Sequence, residues 1–293
     1  MIDRELIKNV KQIEIKTRGL VNQVFSGEYH SIFKGKGMEF AETREYQIGD
    51  DIRMIDWNVT ARLGHPYVKV MEEERELTVI LMIDSSGSLL FGSSVKTKRR
   101  IAAEISAILA FSALKNNDKT GLILFSNDVE KFALPKKGRS HSLRIIRDIL
   151  SFEASGKQTN LNIALEFLLS TAKKRAVVFL ISDFFSDDYE KALSSAAKKH
   201  DLICLNVYDP RDYELPKIGL AKLKDAETSS ELYVDLSDRN FQNSFAETIN
   251  KYVSTRKKIF KRYKIDFADI RIDRDYVKPL IELFKNRERR WAR

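Results

Sequence analysis

The sequence predicts a mixed α/β fold in which a mostly parallel sheet is flanked by helices. Four runs rich in Val, Ile and Leu recur along the middle of the chain, each followed by polar residues, at positions 77–83, 121–125, 176–181 and 202–208. Apolar runs without alternation are typical of strands that are buried on both faces of a sheet. Segments with helical periodicity lie between the runs, and strands that alternate with helices favour a parallel sheet with helices on both faces.

Each further element follows from a local pattern. Apolar residues at helical spacing predict the intervening helices at residues 98–115, 142–151, 161–173 and 189–199. Residues 129–134 follow a short polar turn and are predicted to form an antiparallel strand at the edge of the sheet. Residues 231–236 are predicted to add a last strand.

Both ends of the chain are predicted to elaborate this core. Apolar spacing predicts an N-terminal amphipathic helix that ends before Ser26, and the stretch 27–76 predicts hairpin-like strands near 38–46 and 67–71. Helices are predicted at 240–260 and from near Asp275, with Pro279 in a first turn, where its missing N–H costs little. We expect three regions: an N-terminal helix and strand/loop elaboration packed on the core (1–76), the α/β domain (77–237) and basic C-terminal helices (238–293).

Cysteine content and hydropathy restrict the class of protein. Cys204 is the only cysteine, which excludes a disulfide framework and a cysteine-based zinc site. It lies in an apolar run, so we expect a buried, inert thiol. The first residues show no basic segment followed by an apolar one, and the apolar runs are far shorter than the ~20 residues that span a bilayer. These features predict a soluble cytoplasmic protein.

The positive charge is confined to one part of the chain. The sequence contains 51 Lys and Arg against 42 Asp and Glu, a net charge of +9. Residues 251–293 contain 15 of the former and 6 of the latter, so this segment accounts for the whole surplus. The preceding α/β region is electrically balanced, and its charge gives no reason to expect nucleic acid there. A solvated helical face is the simplest explanation of the basic segment, and contact with an acidic partner surface or with an anionic membrane face is the alternative.

Polar residues at the predicted strand ends form a candidate metal site. In an open parallel sheet, ligands bind at the carboxyl ends of the strands. Asp84, Ser86 and Ser88 follow the first run, Asp183 follows the third, and Thr159 precedes the helix at 161–173. This all-oxygen set suits Mg²⁺ or Mn²⁺ better than zinc or copper. The alternative is that Ser86, Ser88 and Thr159 only cap helices and turns.

The same residues resemble a known metal site. D-x-S-x-S at 84–88, with Thr159 and Asp183, resembles the metal-ion-dependent adhesion site of von Willebrand factor type A domains. The resemblance implies that the two serines and the threonine coordinate the ion, and that the aspartates act directly or through water. One position differs from many type A domains, because Asp183 is followed by Phe184 rather than by glycine.

A longer resemblance runs from about Ser26 to the C-terminus. Its motifs are similar to those of the bacterial domain-of-unknown-function family numbered fifty-eight, in which such a block precedes a type A-like domain; they lie at residues 35–40, 44–46, 49–53, 55–57 and 61–62 and at Glu72. The resemblance implies a metal-dependent protein-binding module with no catalytic residues. Family members are often encoded beside MoxR-type AAA+ ATPases, which implies such an ATPase as partner and a chaperone-like or adaptor role. The alternatives are a metal-dependent phosphoesterase or nuclease that uses Asp84 and Asp183, and a metal-free scaffold.

Other polar features favour structural interpretations. The block at 44–62 combines three arginines with three aspartates and Trp57. Guanidinium–carboxylate pairing favours a network that pins the loops, with Trp57 buried beneath it, over a second binding surface. The glutamates at 72, 73, 74 and 76 are expected to form a solvated face, and the scattered histidines at 30, 65, 141 and 200 to be ordinary surface or loop residues.

Overall fold

The chain divides into two compact units. The computed structural model describes residues 19–21, 38–73, 77–93, 96–152, 158–224 and 230–291. One unit is Phe33–Leu77, and the other combines Met1–Ile32 with Thr78–Arg293. The predicted N-terminal helix lies outside the described residues, apart from a helical turn at 19–21. None of the described helices is both long and apolar enough to cross a bilayer.

The smaller unit is built on an antiparallel pair of strands. β1 (Met38–Glu45) pairs with β2 (Tyr67–Glu73), which confirms the hairpin-like strands predicted for this region. Helix α1 (Trp57–Leu63) lies between them in sequence. Asp56 caps α1 by accepting hydrogen bonds from two backbone N–H groups, and Gly64 ends it with a φ of 75°, a left-handed conformation that favours glycine.

The larger unit contains, among its described residues, a six-stranded sheet with one antiparallel edge. In spatial order the strands are β10 (Asp266–Arg271), β7 (Asp201–Tyr208), β6 (Val177–Ser182), β3 (Thr78–Asp84), β4 (Lys119–Phe125) and β5 (Val129–Lys136). Neighbouring strands pair in parallel except for β5, which runs antiparallel to β4. The predicted mostly parallel sheet and its antiparallel edge strand are therefore confirmed.

Helices follow the strands as the periodicity predicts. They are α2 (Lys98–Lys115), α3 (Arg139–Ser151), α4 (Leu161–Thr171), α5 (Glu190–Lys199), the short α6 (Pro210–Tyr213), α7 (Arg239–Arg262) and α8 (Val277–Trp291). The bounds agree with the predicted ones to within about one turn. Pro279 lies in the first turn of α8, where it removes no helical hydrogen bond.

Side chains that alternate along the strands separate the two faces of the sheet. On one face, Val178 and Cys204 belong to an apolar cluster with Leu165 of α4 and Leu193 of α5. On the other face, Phe179 contacts Phe284 of α8, with ring centroids 6.3 Å apart. Burial from both sides explains why the strand sequences are continuously apolar. It also raises the pKa of the Cys204 thiol, which agrees with the predicted inert state.

Two strands differ from the sequence-based expectation. Residues 266–271, in a region predicted only as helices, form β10 at the edge of the central sheet. Aspartate is unfavourable in strands, but Asp266 pairs with Arg287 and Asp269 with Arg256, and this long-range pairing offsets the local preference. The strand predicted at 231–236 is present as β9 (Glu231–Asp235), which pairs with β8 (Leu220–Lys224) in a separate two-stranded sheet.

Candidate metal centre

The sheet brings the predicted ligands to one edge. β3 ends at Asp84 and β6 ends at Ser182, and the parallel register pairs Ile83 with Ile181 directly before these ends. Ser86 and Ser88 follow β3 in a tight turn, and Thr159 directly precedes Asn160, the N-cap of α4. The carboxyl ends of two adjacent parallel strands therefore carry the candidate site, as the strand-end rule predicts.

Four of the five predicted residues form a hydrogen-bonded cluster around Asp84. Asp84 Oδ2 accepts hydrogen bonds from Ser182 Oγ at 2.7 Å and from Thr159 Oγ1 at 3.4 Å. Its Oδ1 accepts the backbone N–H of Ser86 at 2.9 Å, and the hydroxyls of Ser86 and Ser88 lie 3.1 Å apart. Ser88 and Thr159 are only half-buried, so solvent reaches the cluster from their side.

Asp84 is a buried carboxylate without an ionic partner in the described part of the chain. It is 1% exposed, and no ion pair joins it to a described Lys, Arg or His. Burial and repulsion from Asp183 raise the pKa of Asp84 to about 7, although hydrogen bonds from Ser86 and Ser182 oppose the shift. A desolvated carboxylate of this kind is stabilised by a cation placed at its free oxygen positions.

The fifth predicted residue, Asp183, is held by a lysine that the sequence analysis did not single out. Lys98 Nζ donates to Asp183 Oδ2 and to Asp212 Oδ2, each at 2.9 Å. Lys98 is 2% exposed and Asp183 is fully buried. Burial alone would lower the pKa of Lys98, but Asp183 and Asp212 outweigh it and raise the pKa above its usual value.

A signal for this lysine is present in the sequence. Lys98, Arg99 and Arg100 occupy the first turn of α2, where positive charge opposes the helix dipole. Such an arrangement is favourable only where carboxylates lie nearby. Lys98 pairs with two aspartates, and Arg100 Nε lies 3.3 Å from a carboxylate oxygen of Glu104.

Helix α7 holds the loop that follows Asp183. Phe184 has a φ of 62°, which costs a residue with a side chain about 1–2 kcal/mol. Its ring packs edge-on against Phe260, with centroids 5.3 Å apart, and its carbonyl accepts the hydroxyl of Tyr252. Arg256 Nη1 donates to the carbonyl of Asp183 at 3.3 Å. Contacts from α7 therefore maintain at Phe184 a left-handed backbone conformation that favours glycine.

The cluster fits a small divalent cation. Oxygen ligands of an octahedral Mg²⁺ lie ~2.1 Å from the ion, so neighbouring ligands are about 3 Å apart. The Ser86–Ser88 and Asp84–Thr159 oxygen pairs, at 3.1 and 3.4 Å, are close to this spacing. No cluster of three or more His, Cys, Asp or Glu in the described ranges could hold a metal, so any ion here depends on hydroxyl ligands.

Together, the sheet order, the antiparallel edge strand and the strand-end hydroxyls define a von Willebrand factor type A-like α/β domain. The chain belongs to the family described as "Protein of unknown function DUF58", whose profile matches residues 42–254. This confirms the family resemblance, and the motifs at 44–62 and Glu72 lie within the matched range. Among its relatives is the uncharacterized protein Rv1480 of Mycobacterium tuberculosis, 28% identical over 290 residues, or 98% of this chain and 91% of the relative. The uncharacterized protein MAV169 of Mycobacterium avium is 26% identical over 157 residues, which cover 53% of this chain and 92% of that protein.

Solved structures with a similar fold include two from Bacteroides. The conserved hypothetical protein BatB from Bacteroides thetaiotaomicron has 17% identity and a TM-score of 0.45, covering 73% of this chain and 99% of that one. An aerotolerance-related membrane protein from Bacteroides fragilis has 15% identity and a TM-score of 0.49, with the same coverage.

Outside the candidate metal centre, the arginine–aspartate block is only partly as predicted. Arg44 pairs with Asp50 through two hydrogen bonds of 2.7 and 2.8 Å, and Arg53 pairs with Asp51. The expectation that Trp57 is buried beneath this network is wrong, because 68% of Trp57 is exposed. Trp57 is the first residue of α1 and follows the capping Asp56, and no residue of α1 is buried.

One histidine also differs from the expectation of ordinary surface or loop residues. His200 is 2% exposed, and its Nδ1 accepts the backbone N–H of Ala176 at 3.3 Å. Its position between α5 and β7 explains the burial, since the chain turns there into the central sheet.

Proposed function

We propose that the protein is a metal-dependent protein-binding module. Asp84, Ser86, Ser88 and Thr159 hold Mg²⁺ or Mn²⁺, with Asp183 beside them. The observation that carries this proposal is the buried Asp84, without an ionic partner among the described residues, within a cluster of hydroxyl oxygens. A bound ion supplies an open coordination position that attracts a carboxylate from a partner protein.

The surroundings of the cluster favour a macromolecular partner over a small substrate. Leu90 and Phe91, just beyond Ser88, are 57% and 44% exposed. Exposed apolar side chains next to a polar anchor are typical of protein-binding surfaces. A cavity of about 570 Å³ lies elsewhere, between β10 and α8, and none of the five predicted site residues lines it.

The arrangement of carboxylates favours binding over phosphoryl hydrolysis. Two-metal phosphoryl chemistry needs carboxylates that hold two ions ~4 Å apart. Here the Asp183 carboxylate is already paired with Lys98, and Asp84 is the remaining carboxylate of the predicted set. A single divalent ion that is neutralised by only one carboxylate keeps a positive charge, and this charge suits the capture of an acidic side chain.

For the partner, we propose a MoxR-type AAA+ ATPase in the cytoplasm, which this chain serves as a chaperone-like or adaptor protein. Support comes from membership of the DUF58 family. The basic surface of α7 offers a second contact to an acidic partner, because Lys251, Lys258 and Lys261 are exposed on it.

The test compares Asp84→Asn with a matched control. Isothermal titration of the purified chain with Mn²⁺ should show binding that Asp84→Asn weakens at least ~10-fold, because the substitution removes the central charge. Asp187→Asn, at an exposed aspartate in the loop after β6, should leave the affinity unchanged. Equal affinities of wild type and Asp84→Asn, with both folded by circular dichroism, would contradict the proposed site.

Partner capture is measured separately. Immobilised wild type should retain a purified MoxR-type ATPase in Mg²⁺ but not in EDTA, and Asp84→Asn should lose the retention. Retention that persists in EDTA would show that the interaction does not use the metal.

A further inference from the structure

Lys98 occupies an unusual position for a lysine. It is the first residue of α2, it is 2% exposed, and its ammonium lies 2.9 Å from the carboxylates of both Asp183 and Asp212. Burying an ammonium is costly unless close carboxylates offset the loss of hydration. Here both carboxylates come from segments distant in sequence, so the pairing depends on the folded sheet edge.

The position of Lys98 is fixed from several sides. Asp212 belongs to the short helix α6, where its carboxylate also accepts the backbone N–H of Asp209 at 2.9 Å. Asp209 in turn accepts the side chain and backbone N–H of Ser93, which precedes α2. The lysine therefore joins the start of α2, the end of β6 and the segment after β7, and it cannot leave without breaking this network.

This geometry divides the charge of the candidate metal site unequally. Asp183 pairs with Lys98, which it shares with Asp212, whereas Asp84 has no ionic partner among the described residues. A divalent cation bound at Asp84 therefore meets one uncompensated carboxylate and a nearby fixed ammonium. Opposite charges raise the affinity for a cation, and a like charge in a poorly solvated site lowers it.

We propose that Lys98 is an internal cation that competes with the metal for Asp183, keeping the metal affinity of the site low and the bound metal receptive to a partner's carboxylate. This inference rests on the proposed metal-dependent function and concerns its regulation. A site with less negative charge of its own leaves more of the ion's charge for an acidic side chain from outside. Metal and partner then bind cooperatively, because each ligand is held more tightly when the other is present.

The variant that tests the inference is Lys98→Met, which keeps most of the length of the unbranched side chain and removes its charge. We expect it to bind Mn²⁺ at least ~10-fold more tightly than wild type in calorimetric titration. Its melting temperature should be lower in EDTA, since Asp183 and Asp212 lose their counter-ion, and should rise more than that of wild type on addition of Mn²⁺.

A matched control and a second variant keep the outcome interpretable. Lys96→Met changes a half-buried lysine two positions away, paired with Glu104 at 2.9 Å, and should leave the Mn²⁺ affinity unchanged. If Lys98→Met does not fold without metal, Lys98→Met/Asp212→Asn removes one of the two unpaired charges and should show the same gain in affinity. Lys98→Met/Asp183→Asn should lose the gain in Mn²⁺ affinity, because the carboxylate for which Lys98 and the metal compete is gone.

Each outcome separates this inference from the proposed function. Equal Mn²⁺ affinities of wild type, Lys98→Met and Lys98→Met/Asp212→Asn would overturn the role of Lys98 while leaving the metal site intact. Tight binding by the variants with none by wild type would support the role of Lys98 and contradict metal-dependent function in the natural chain. An absence of Mn²⁺ binding in every variant would overturn both.

Discussion

At the scale of single residues, burial decides which groups carry charge. His200 and Asp84 are both buried, with 2% and 1% of their surfaces exposed to solvent. Burial, with Lys199 and Arg175 adding repulsion, lowers the pKa of His200 to about 4, whereas burial and Asp183 raise the pKa of Asp84 to about 7. In both cases the folded state favours the neutral form.

The histidine predicts an acid-dependent loss of stability. The pKa of His200 falls from 6.5 to about 4 on folding, so the unfolded chain takes up a proton first as the pH drops. Its contribution is therefore fully present above pH 6.5 and is lost towards pH 4, by about 3 kcal/mol in the free energy of unfolding. Urea titrations at several pH values measure how the free energy of unfolding depends on pH, and His200→Gln should remove this part of the pH dependence. His65→Gln, at an exposed position, should retain it, and parallel slopes for His200→Gln and wild type would contradict the assignment.

Only part of the candidate site could be predicted from the sequence, because Lys98 is brought to it by contacts between distant segments. The candidate residues Asp84, Ser86 and Ser88 share one short motif, and the strand-end rule adds Thr159 and Asp183 from distant loops, so their position at one edge of the sheet could be predicted. Lys98 lies 85 positions from Asp183 and 114 from Asp212, and only the folded sheet brings them together. Its place in the first turn of a helix was a signal of pairing, but not of the partner.

At the scale of elements, α7 belongs to the core of the larger unit rather than to an appended tail. Arg256, 2% exposed, donates to the carbonyl of Asp183, to Asn206 and to Asp269 on β10. It thereby links the helix to the loop after β6 and to two strands of the sheet. Tyr252 adds a hydrogen bond from the backbone N–H of Ser186 to its hydroxyl, at 3.1 Å.

This role predicts a large difference between two arginines of one helix. Arg256→Met leaves buried polar groups without their partner and should cost about 3 kcal/mol of unfolding free energy. Arg262→Met, which removes a largely exposed pair with Glu190, should change the unfolding free energy little, because solvent screens an exposed ion pair. Guanidinium denaturation of both variants measures the difference. Small, equal effects would mean that α7 does not contribute to the core.

At the scale of the whole molecule, part of the charge of the basic C-terminal segment lies in internal ion pairs. Arg256 and Arg287 are buried in ion pairs that hold β10 and α8 to the sheet, so part of the charge surplus is structural. Deleting residues 251–293 would remove a strand of the central sheet, and therefore cannot isolate the effect of charge. Substituting the exposed Lys251, Lys258 and Lys261 is the appropriate test of salt-dependent association.

The fold class was predictable because the central strands are buried on both faces and leave continuous apolar runs. β10 was not predictable, because Asp266 and Asp269 are unfavourable in a strand and their pairing with arginines is visible only in the folded structure. The predicted burial of Trp57 was wrong, because aromatic residues are buried on average but the position of Trp57 at the start of α1 leaves it exposed.

The most direct measurement of the central claim is anomalous diffraction from crystals of the full chain grown with Mn²⁺. The account predicts a peak within coordination distance of the Asp84 carboxylate or its bound water and of the Ser86 and Ser88 hydroxyls, on the side that Thr159 faces. In crystals of Asp84→Asn under the same conditions the peak should be absent. A wild-type structure with no peak at this sheet edge, or with Mn²⁺ bound only elsewhere, would contradict the proposed metal centre.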